Sequence, residues 1–146
     1  MPITPDHVGR SYPPTAPYRV SRAKIAEFAR ALGDTNPAYQ PDSLDATPVA
    51  PPTFAAVIAA QAWEPFFADP DLGLALQRTV HADQSFEPVR PLREGDDVVA
   101  SLRIDKVRNR GTTDLVTIVV ELATVRGERL GTATSTLLHT REEATA

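Results

Sequence analysis

The sequence contains no cysteine and no long apolar run. Without cysteine there is no disulfide framework, no thiolate metal site and no cysteine nucleophile. No apolar run approaches the roughly 20 residues that a membrane-spanning helix needs, and the first residues lack the positive region and apolar core of a signal peptide. The 15 Lys and Arg residues are scattered among 19 Asp and Glu residues, which argues against a nucleic-acid surface or a basic membrane patch. We expect a cytoplasmic protein that needs no metal or cofactor.

The composition is that of one globular domain. The chain has 146 residues, of which 42% are hydrophobic, and this predicts a single domain over residues 1–146 with a proper core. Residues 1–19 are rich in proline and predict an extended arm on the surface of the domain, with Tyr12 and Tyr18 as its anchors. Residues 141–146 are polar and predict a frayed tail.

A first helix is predicted over residues 22–32. Apolar residues such as Ile25 and Phe28 recur there at helical spacing. Ser21 is placed to cap the start of the helix. Gly33 can take the left-handed conformation that ends a helix.

The loop after this helix carries three different polar side chains. Pro37 and Pro41 prevent the helix from resuming and favour a compact, fixed loop. Asp34, Asn36 and Tyr39 supply a carboxylate, an amide and a phenol within it. Such a loop is suited to grip a small polar group, and the alternative is an ordinary connection between two helices.

A second helix is predicted over residues 55–63. Every side chain in it except Gln61 is apolar, which predicts a helix that is buried on all sides. Pro52 suits the first turn of a helix, where its missing N–H is not needed. Pro65, directly after Glu64, is expected to end or kink the helix.

The second half of the chain predicts antiparallel strands. Alternating apolar residues and glycine-containing turns mark about five of them, over residues 74–77, 78–86, 98–107, 115–125 and 130–139. A long buried central helix wrapped by a curved antiparallel sheet of about five strands is an α+β architecture, the hotdog fold.

The order of these motifs resembles the MaoC-like (R)-specific enoyl hydratases and (3R)-hydroxyacyl dehydratases. The resemblance extends over roughly residues 8–140 and includes the sequence Gly-Asp-Thr-Asn-Pro at 33–37. Residues 8–14 and 80–86 resemble one branch in particular, the actinobacterial FAS1-like dehydratase domains. That branch includes the subunit without the catalytic His in mycobacterial (3R)-hydroxyacyl-ACP dehydratase heterodimers. The resemblance implies an acyl-CoA or acyl-ACP substrate and a second hotdog subunit, in a homodimer or a heterodimer.

The chain departs from this family at two positions that carry the chemistry. The family adds or removes water across the 2,3-bond of an acyl thioester, using an Asp and a His five residues later, and a backbone N–H at the start of the central helix polarises the thioester. Asp34 matches the Asp, but Tyr39 stands at the His position, and a phenol, which titrates near ~10, is a poor base at neutral pH. Pro52 stands at the N–H position and has no N–H to donate.

His81 is a further candidate because its strand runs beside the central helix in this fold. Strand alternation predicts His81, Asp83 and Ser85 on one face. From there His81 is expected to approach an acyl groove, a subunit interface or the Asp34 of a neighbouring subunit, and a purely structural His is the simpler alternative. The catalytic candidates are therefore Asp34 and His81, and the substrate-binding candidates are Asn36, Tyr39, Thr53, Ala56 and Ala60.

Three functions are compatible with these residues. The first is an acyl-thioester-binding subunit of a heterodimeric dehydratase whose partner carries the catalytic Asp and His, with small residues such as Ala56 and Ala60 leaving room for an acyl chain. The second is a homodimeric (R)-specific enoyl hydratase with an altered site that uses Asp34 or His81. The third is an acyl-thioester-binding or regulatory hotdog protein without enzymatic activity.

Overall fold

The computed structural model describes residues 2–143 as a curved antiparallel sheet around one helical segment, which confirms the predicted hotdog fold. The sheet contains five strands in the order β1-β3-β4-β5-β2. No helix in the described part is long and apolar enough to cross a membrane. The elements are β1 (Tyr18–Arg19), α1 (Arg22–Leu32), α2 (Ala55–Ala59), α3 (Trp63–Ala68), β2 (Thr79–Pro88), β3 (Asp97–Arg110), β4 (Thr113–Thr124) and β5 (Arg129–Thr140).

Four of the five predicted strands form close to their predicted bounds, and the strand predicted at 74–77 is wrong. Leu76–Arg78 form a 3-10 turn instead. Side chains hydrogen-bond to the backbone of Ala75 there. The Thr79 hydroxyl donates to the Ala75 carbonyl at 2.7 Å, and the Ala75 N–H donates to Nε2 of His139 at 3.2 Å. These bonds use the groups that a strand ladder would need.

The proline-rich arm lies along β3. The backbone N–H groups of Gly9, Tyr12 and Thr15 donate to carbonyls of β3 at 2.8–3.1 Å. Tyr12 and Tyr18 pack against the core, and Ile3, which the sequence analysis did not single out, is fully buried. The arm therefore covers part of one edge of the sheet and contributes to the core.

Helix α1 has the start and the end that its sequence predicts. The Ser21 hydroxyl accepts a hydrogen bond from the Lys24 N–H at 3.1 Å, and Gly33 ends the helix with a φ of +69°. Phe28 contacts Phe54 edge to face at 5.3 Å between ring centroids. These contacts fix the position from which the loop after Gly33 begins.

The central helical segment is interrupted. It contains α2 and α3, joined by a 3-10 turn at Ala60–Ala62. Pro65 explains the interruption, because it has no N–H for the Gln61 carbonyl and its ring crowds that carbonyl. The helix does not end at Pro65, and helical structure continues beyond it to Ala68.

The prediction that this helix is buried on all sides is wrong for the single chain. Ile58 and Phe66 are fully buried against the concave face of the sheet, whereas Ala60, Gln61 and Glu64 are exposed. The sheet curves around only half of the helix, so the opposite side of α2 and α3 is open. Apolar composition alone does not reveal which neighbour covers a helix.

A buried polar cluster closes the end of the sheet away from the start of α2. Asp114 is 1% exposed and accepts hydrogen bonds from Arg141 and Asn109. Burial raises the pKa of Asp114, but the hydrogen bonds from Arg141 and Asn109 outweigh burial and hold the pKa below its ordinary value. Asn109 also donates to the Ile3 carbonyl at 2.9 Å. The cluster thus ties Arg141, the first residue of the predicted tail, and the arm to the sheet; residues 144–146 of that tail lie outside the described residues.

Gly131 in β5 is the position where an added methyl group is expected to cost the most. Its φ is +151°, and a Cβ there would lie 2.8 Å from the Glu87 carbonyl oxygen and 3.0 Å from Cα of Pro88. We expect Gly131→Ala to lower the free energy of unfolding by about 2–4 kcal/mol, because β2 must move away from β5. Urea unfolding measures the loss.

Gly127→Ala is the matched control. Gly127 also has a positive φ, +92°, but nothing lies within 4 Å of the added Cβ. Backbone strain alone predicts a loss of about 1 kcal/mol in this variant. Equal losses in the two variants would contradict a close contact between Gly131 and β2.

Candidate functional site

A groove of about 350 Å³ opens at the start of α2. Its walls come from the loop after α1, from the first turn before α2, from the segment after β2 and from β4 and β5. Most of the lining is apolar, as expected for a ligand groove. The lining residues are Asn36, Ala38, Tyr39, Val49, Ala50, Pro51, Pro52, Ala55, Phe86, Pro88, Val89, Arg90, Pro91, Leu92, Leu122, Leu130, Gly131 and Thr132.

The loop at the mouth of the groove is held by its own side chains. The Asp34 carboxylate accepts from the Asn36 N–H at 3.0 Å, and the Asn36 side-chain oxygen accepts from the Ala38 N–H at 3.0 Å. The Tyr39 N–H donates to the Asn36 carbonyl at 3.0 Å. These local turns are the reason that the predicted rigid loop forms. They place Tyr39, half-buried, in the groove wall.

The start of the central helix also contributes to the groove wall. Pro51 and Pro52 both line the groove. The Phe54 N–H donates a hydrogen bond to the Pro51 carbonyl at 2.9 Å. Pro52 has no N–H. Pro52 therefore offers no backbone hydrogen-bond donor to a ligand in the groove.

The structure brings two of the predicted site residues into the groove. Asn36 and Tyr39 belong to its lining. The other candidates do not line it. Asp34 is half-buried in the loop after α1, and Ala56 is half-buried on the helix. Thr53 and Ala60 are exposed, and His81 lies on β2. Among residues 2–143 no group of three or more His, Asp and Glu side chains is arranged to hold a metal ion.

The predicted alternation of β2 is wrong because the strand contains a bulge. His81 is opposite Leu137 and Asp83 is opposite Thr136, so Ala82 is an extra residue between two neighbouring pairs. A bulge of this kind shifts the phase of the side chains by one residue. The sequence shows no signal for it, since Ala82 fits a regular strand equally well.

After the bulge His81 shares a face with Gln84 rather than with Asp83 and Ser85. Nε2 of His81 lies 3.0 Å from Oε1 of Gln84, which also accepts a hydrogen bond from the buried Ser135 hydroxyl. The His81 ring contacts Trp63 of α3 edge to face, with 5.2 Å between centroids. His81 is thus engaged with the open side of the central helix.

An ion-pair network at the rim of the groove was not predicted. The Arg90 guanidinium donates two hydrogen bonds to Asp96, at 2.8 and 2.9 Å, and two to Glu128, at 2.8 and 3.3 Å. Burial raises the pKa of Asp96, but Arg90 and the Arg93 N–H outweigh it and hold the pKa below its ordinary value. The sequence gives no signal for this network, because it depends on the approach of Glu128 from the β4–β5 hairpin.

Comparison with known proteins places this fold among the MaoC-like hotdog proteins. The chain superimposes on a solved MaoC-like dehydratase with a TM-score of 0.80 and 27% identity, over 92% of this chain and 42% of that one. It superimposes on a chain of the truncated HadBC (3R)-hydroxyacyl-ACP dehydratase complex of Mycobacterium tuberculosis with a TM-score of 0.76 and 30% identity, over 91% of this chain and 97% of that one.

The sequence profile described as "FAS1-like, dehydratase domain region" matches residues 6–133. The UPF0336 protein of Cutibacterium acnes is 54% identical over 146 residues, which is the full length of both chains. The chain therefore belongs to the FAS1-like dehydratase-domain family, and the resemblance seen in its sequence is confirmed.

The Arg90–Asp96 pair predicts how stability depends on pH at the rim of the groove. A carboxylate whose folded pKa is lowered contributes stability above its unfolded pKa of about 3.9, and this contribution is lost as the pH falls through the folded pKa. We expect Asp96→Asn to lower the free energy of unfolding by about 1–3 kcal/mol at pH 7. The difference from the unmodified chain should shrink as the pH falls below about 4.

Urea unfolding at a series of pH values measures this difference. Asp45→Asn is a suitable control, because Asp45 lies exposed in the loop after α1. A loss for Asp96→Asn that stays constant down to acid pH would contradict the ion pair as its cause.

Proposed function

We propose that this chain is the acyl-thioester-binding subunit of a heterodimeric (3R)-hydroxyacyl-thioester dehydratase whose partner carries the catalytic Asp and His. One observation carries the proposal: the groove presents Tyr39 and Pro52, which stand at the positions where the family is expected to carry its His and its carbonyl-polarising N–H. The HadBC protein, similar over 91% of this chain, is by its name a complex of two subunits and a (3R)-hydroxyacyl-ACP dehydratase.

The side chains in the groove suit binding better than catalysis. Removal and return of a proton near neutral pH favour a His, whereas a phenol ordinarily titrates near ~10. Loss of the N–H that stabilises the developing negative charge costs roughly 100- to 1000-fold in rate, and loss of the general base costs roughly 100-fold or more. The two losses occur in the lining of one groove, at Tyr39 and Pro52.

The same groove retains what an acyl thioester needs for binding. Its floor consists of apolar side chains such as Leu92, Leu122 and Leu130, which suit an acyl chain. Asn36 and Tyr39 place an amide and a phenol at the mouth, where they are suited to hydrogen-bond the polar thioester end.

Turnover by the purified chain tests whether this chain binds the substrate while its partner supplies the catalytic residues. We expect the chain alone to hydrate a short trans-2-enoyl thioester at least ~10⁴-fold more slowly than the complex with a hotdog partner that carries the complete Asp and His motif. In that complex Asp34→Asn in this chain should cost little, because the working Asp belongs to the partner. Loss of enoyl-thioester absorbance measures both rates.

The homodimeric alternative predicts the opposite result. If the chain alone turns over efficiently and Asp34→Asn or His81→Ala abolishes the activity, the subunit proposal is wrong. If the chain binds acyl thioesters but remains inactive with every complete hotdog partner, a binding or regulatory function takes its place.

Two neighbouring alanines test the groove itself. Ala55 lines it, whereas Ala56 follows on the same helix outside the lining. We expect Ala55→Leu to weaken binding of a trans-2-enoyl-CoA about tenfold, because the added atoms occupy the groove. Ala56→Leu should leave the affinity unchanged. Isothermal titration calorimetry measures both constants, and equal effects would place the ligand elsewhere.

A further inference from the structure

The open side of the structure has the properties of an unoccupied interface. Strand β2 is the last strand of the sheet and pairs only with β5. It is ten residues long, and most of its residues are exposed. An exposed edge of this length offers its backbone groups to another strand. The exposed side of α2 and α3 lies beside it and completes one continuous surface, which we call the open face.

Apolar side chains on the open face are uncovered in the single chain. Leu76 and Val80 are each 62% exposed, and Trp63, Phe67 and Leu74 line a hollow beside them. Exposed apolar side chains that lie together mark a surface where another chain can bind. Another chain that covers this surface would bury Leu76 and Val80.

The charged side chains on the open face are of one sign. Asp83 and Glu87 of β2 and Glu64 of α3 are exposed, and none of them forms a salt bridge within the described chain. Strand β2 contains no Lys or Arg. The nearest arginine in sequence, Arg78, is already paired with Glu142 at 2.8 Å.

The remaining titratable side chain of β2 does not balance this charge. His81 is directed to the helix side, where it contacts Trp63 and Gln84. Asp83 and Glu87 are opposite Thr136 and Thr132 of β5, which are uncharged. The face of β2 that points away from the helix therefore carries two acidic side chains and no basic one.

A surface of one sign distinguishes between partners. In a symmetric dimer that pairs the two β2 edges, the same patch lies on both subunits, so Asp83 and Glu87 would lie near their own copies. Like charges across paired strands are destabilising, whereas opposite charges are stabilising. Specificity of this kind depends on repulsion of the wrong partner as much as on attraction of the right one.

We propose that the acidic open face docks a different hotdog chain whose facing strand and helix carry Lys or Arg, and that its charge disfavours pairing with a second copy of this chain. The inference rests on the proposed function, because the different chain is the catalytic partner. It adds how that partner is recognised: through Asp83 and Glu87 of the edge strand, and through Leu76 and Val80, which it would bury.

Self-association of the purified chain tests the repulsion. We expect the Asp83→Asn/Glu87→Gln variant to form homodimers with a dissociation constant about tenfold lower than that of the unmodified chain. Raising NaCl from about 0.05 to about 0.5 M, which shortens the Debye length to a few Å, should tighten the unmodified homodimer and leave the variant unchanged. Analytical ultracentrifugation measures both effects.

Asp42→Asn/Asp45→Asn is the matched control, because these two carboxylates lie exposed in the loop after α1. Their removal changes the net charge by the same amount and should leave the dissociation constant unchanged. A tight homodimer that responds neither to salt nor to Asp83→Asn/Glu87→Gln would overturn the proposal.

Charge reversal tests the attraction without knowledge of the natural partner. A mixture of the unmodified chain with its Asp83→Lys/Glu87→Lys variant should form mixed dimers about tenfold more tightly than either chain forms homodimers. Native mass spectrometry with isotope labelling measures the proportions, and circular dichroism shows whether the variant folds. A statistical mixture of dimers would contradict charge selection. This result does not involve turnover, so it is independent of whether the enoyl-thioester assay supports the proposed dehydratase.

Discussion

Ile58 and Phe66 pack into the concave face of a sheet that curves around only half of the central helix, and the rest of the structure depends on this contact. Removal of large apolar side chains from water is the main driving force for holding helix and sheet together. Because the sheet is a half-barrel, it leaves the opposite side of α2 and α3 and the edge strand β2 uncovered. The fold therefore contains a core and an interface at once.

The groove arises from the same arrangement. The sheet cannot close over the start of α2, where Pro51 and Pro52 turn the chain into the helix, so the segment after β2 and the loop after α1 form the walls instead. The Asp34 and Asn36 turns hold one wall, and the Arg90–Asp96 pair holds the rim. A groove whose walls are held in this way is largely formed before a ligand enters.

The two proposals assign different functions to the two sides of the central helix. The groove at its start binds the acyl thioester, and the open face recruits the chain that supplies the catalytic residues. Tyr39 belongs to the first side, whereas His81 belongs to the second through Trp63 and Gln84. This separation explains how a dehydratase-domain chain can keep its binding groove after the catalytic positions have changed.

The sequence by itself determined the family, the order of the elements, the ends of α1 and the identities of the residues at positions 39 and 52. These follow from local chemistry: a capping Ser21, a left-handed Gly33, and the identities of Tyr39 and Pro52. Only the tertiary structure decided that the central helix is open on one side, that Ala82 forms a bulge, and that Arg90 and Glu128 meet at the rim. Each of these depends on which distant segment lies alongside, and neither hydrophobic periodicity nor local propensity contains that information.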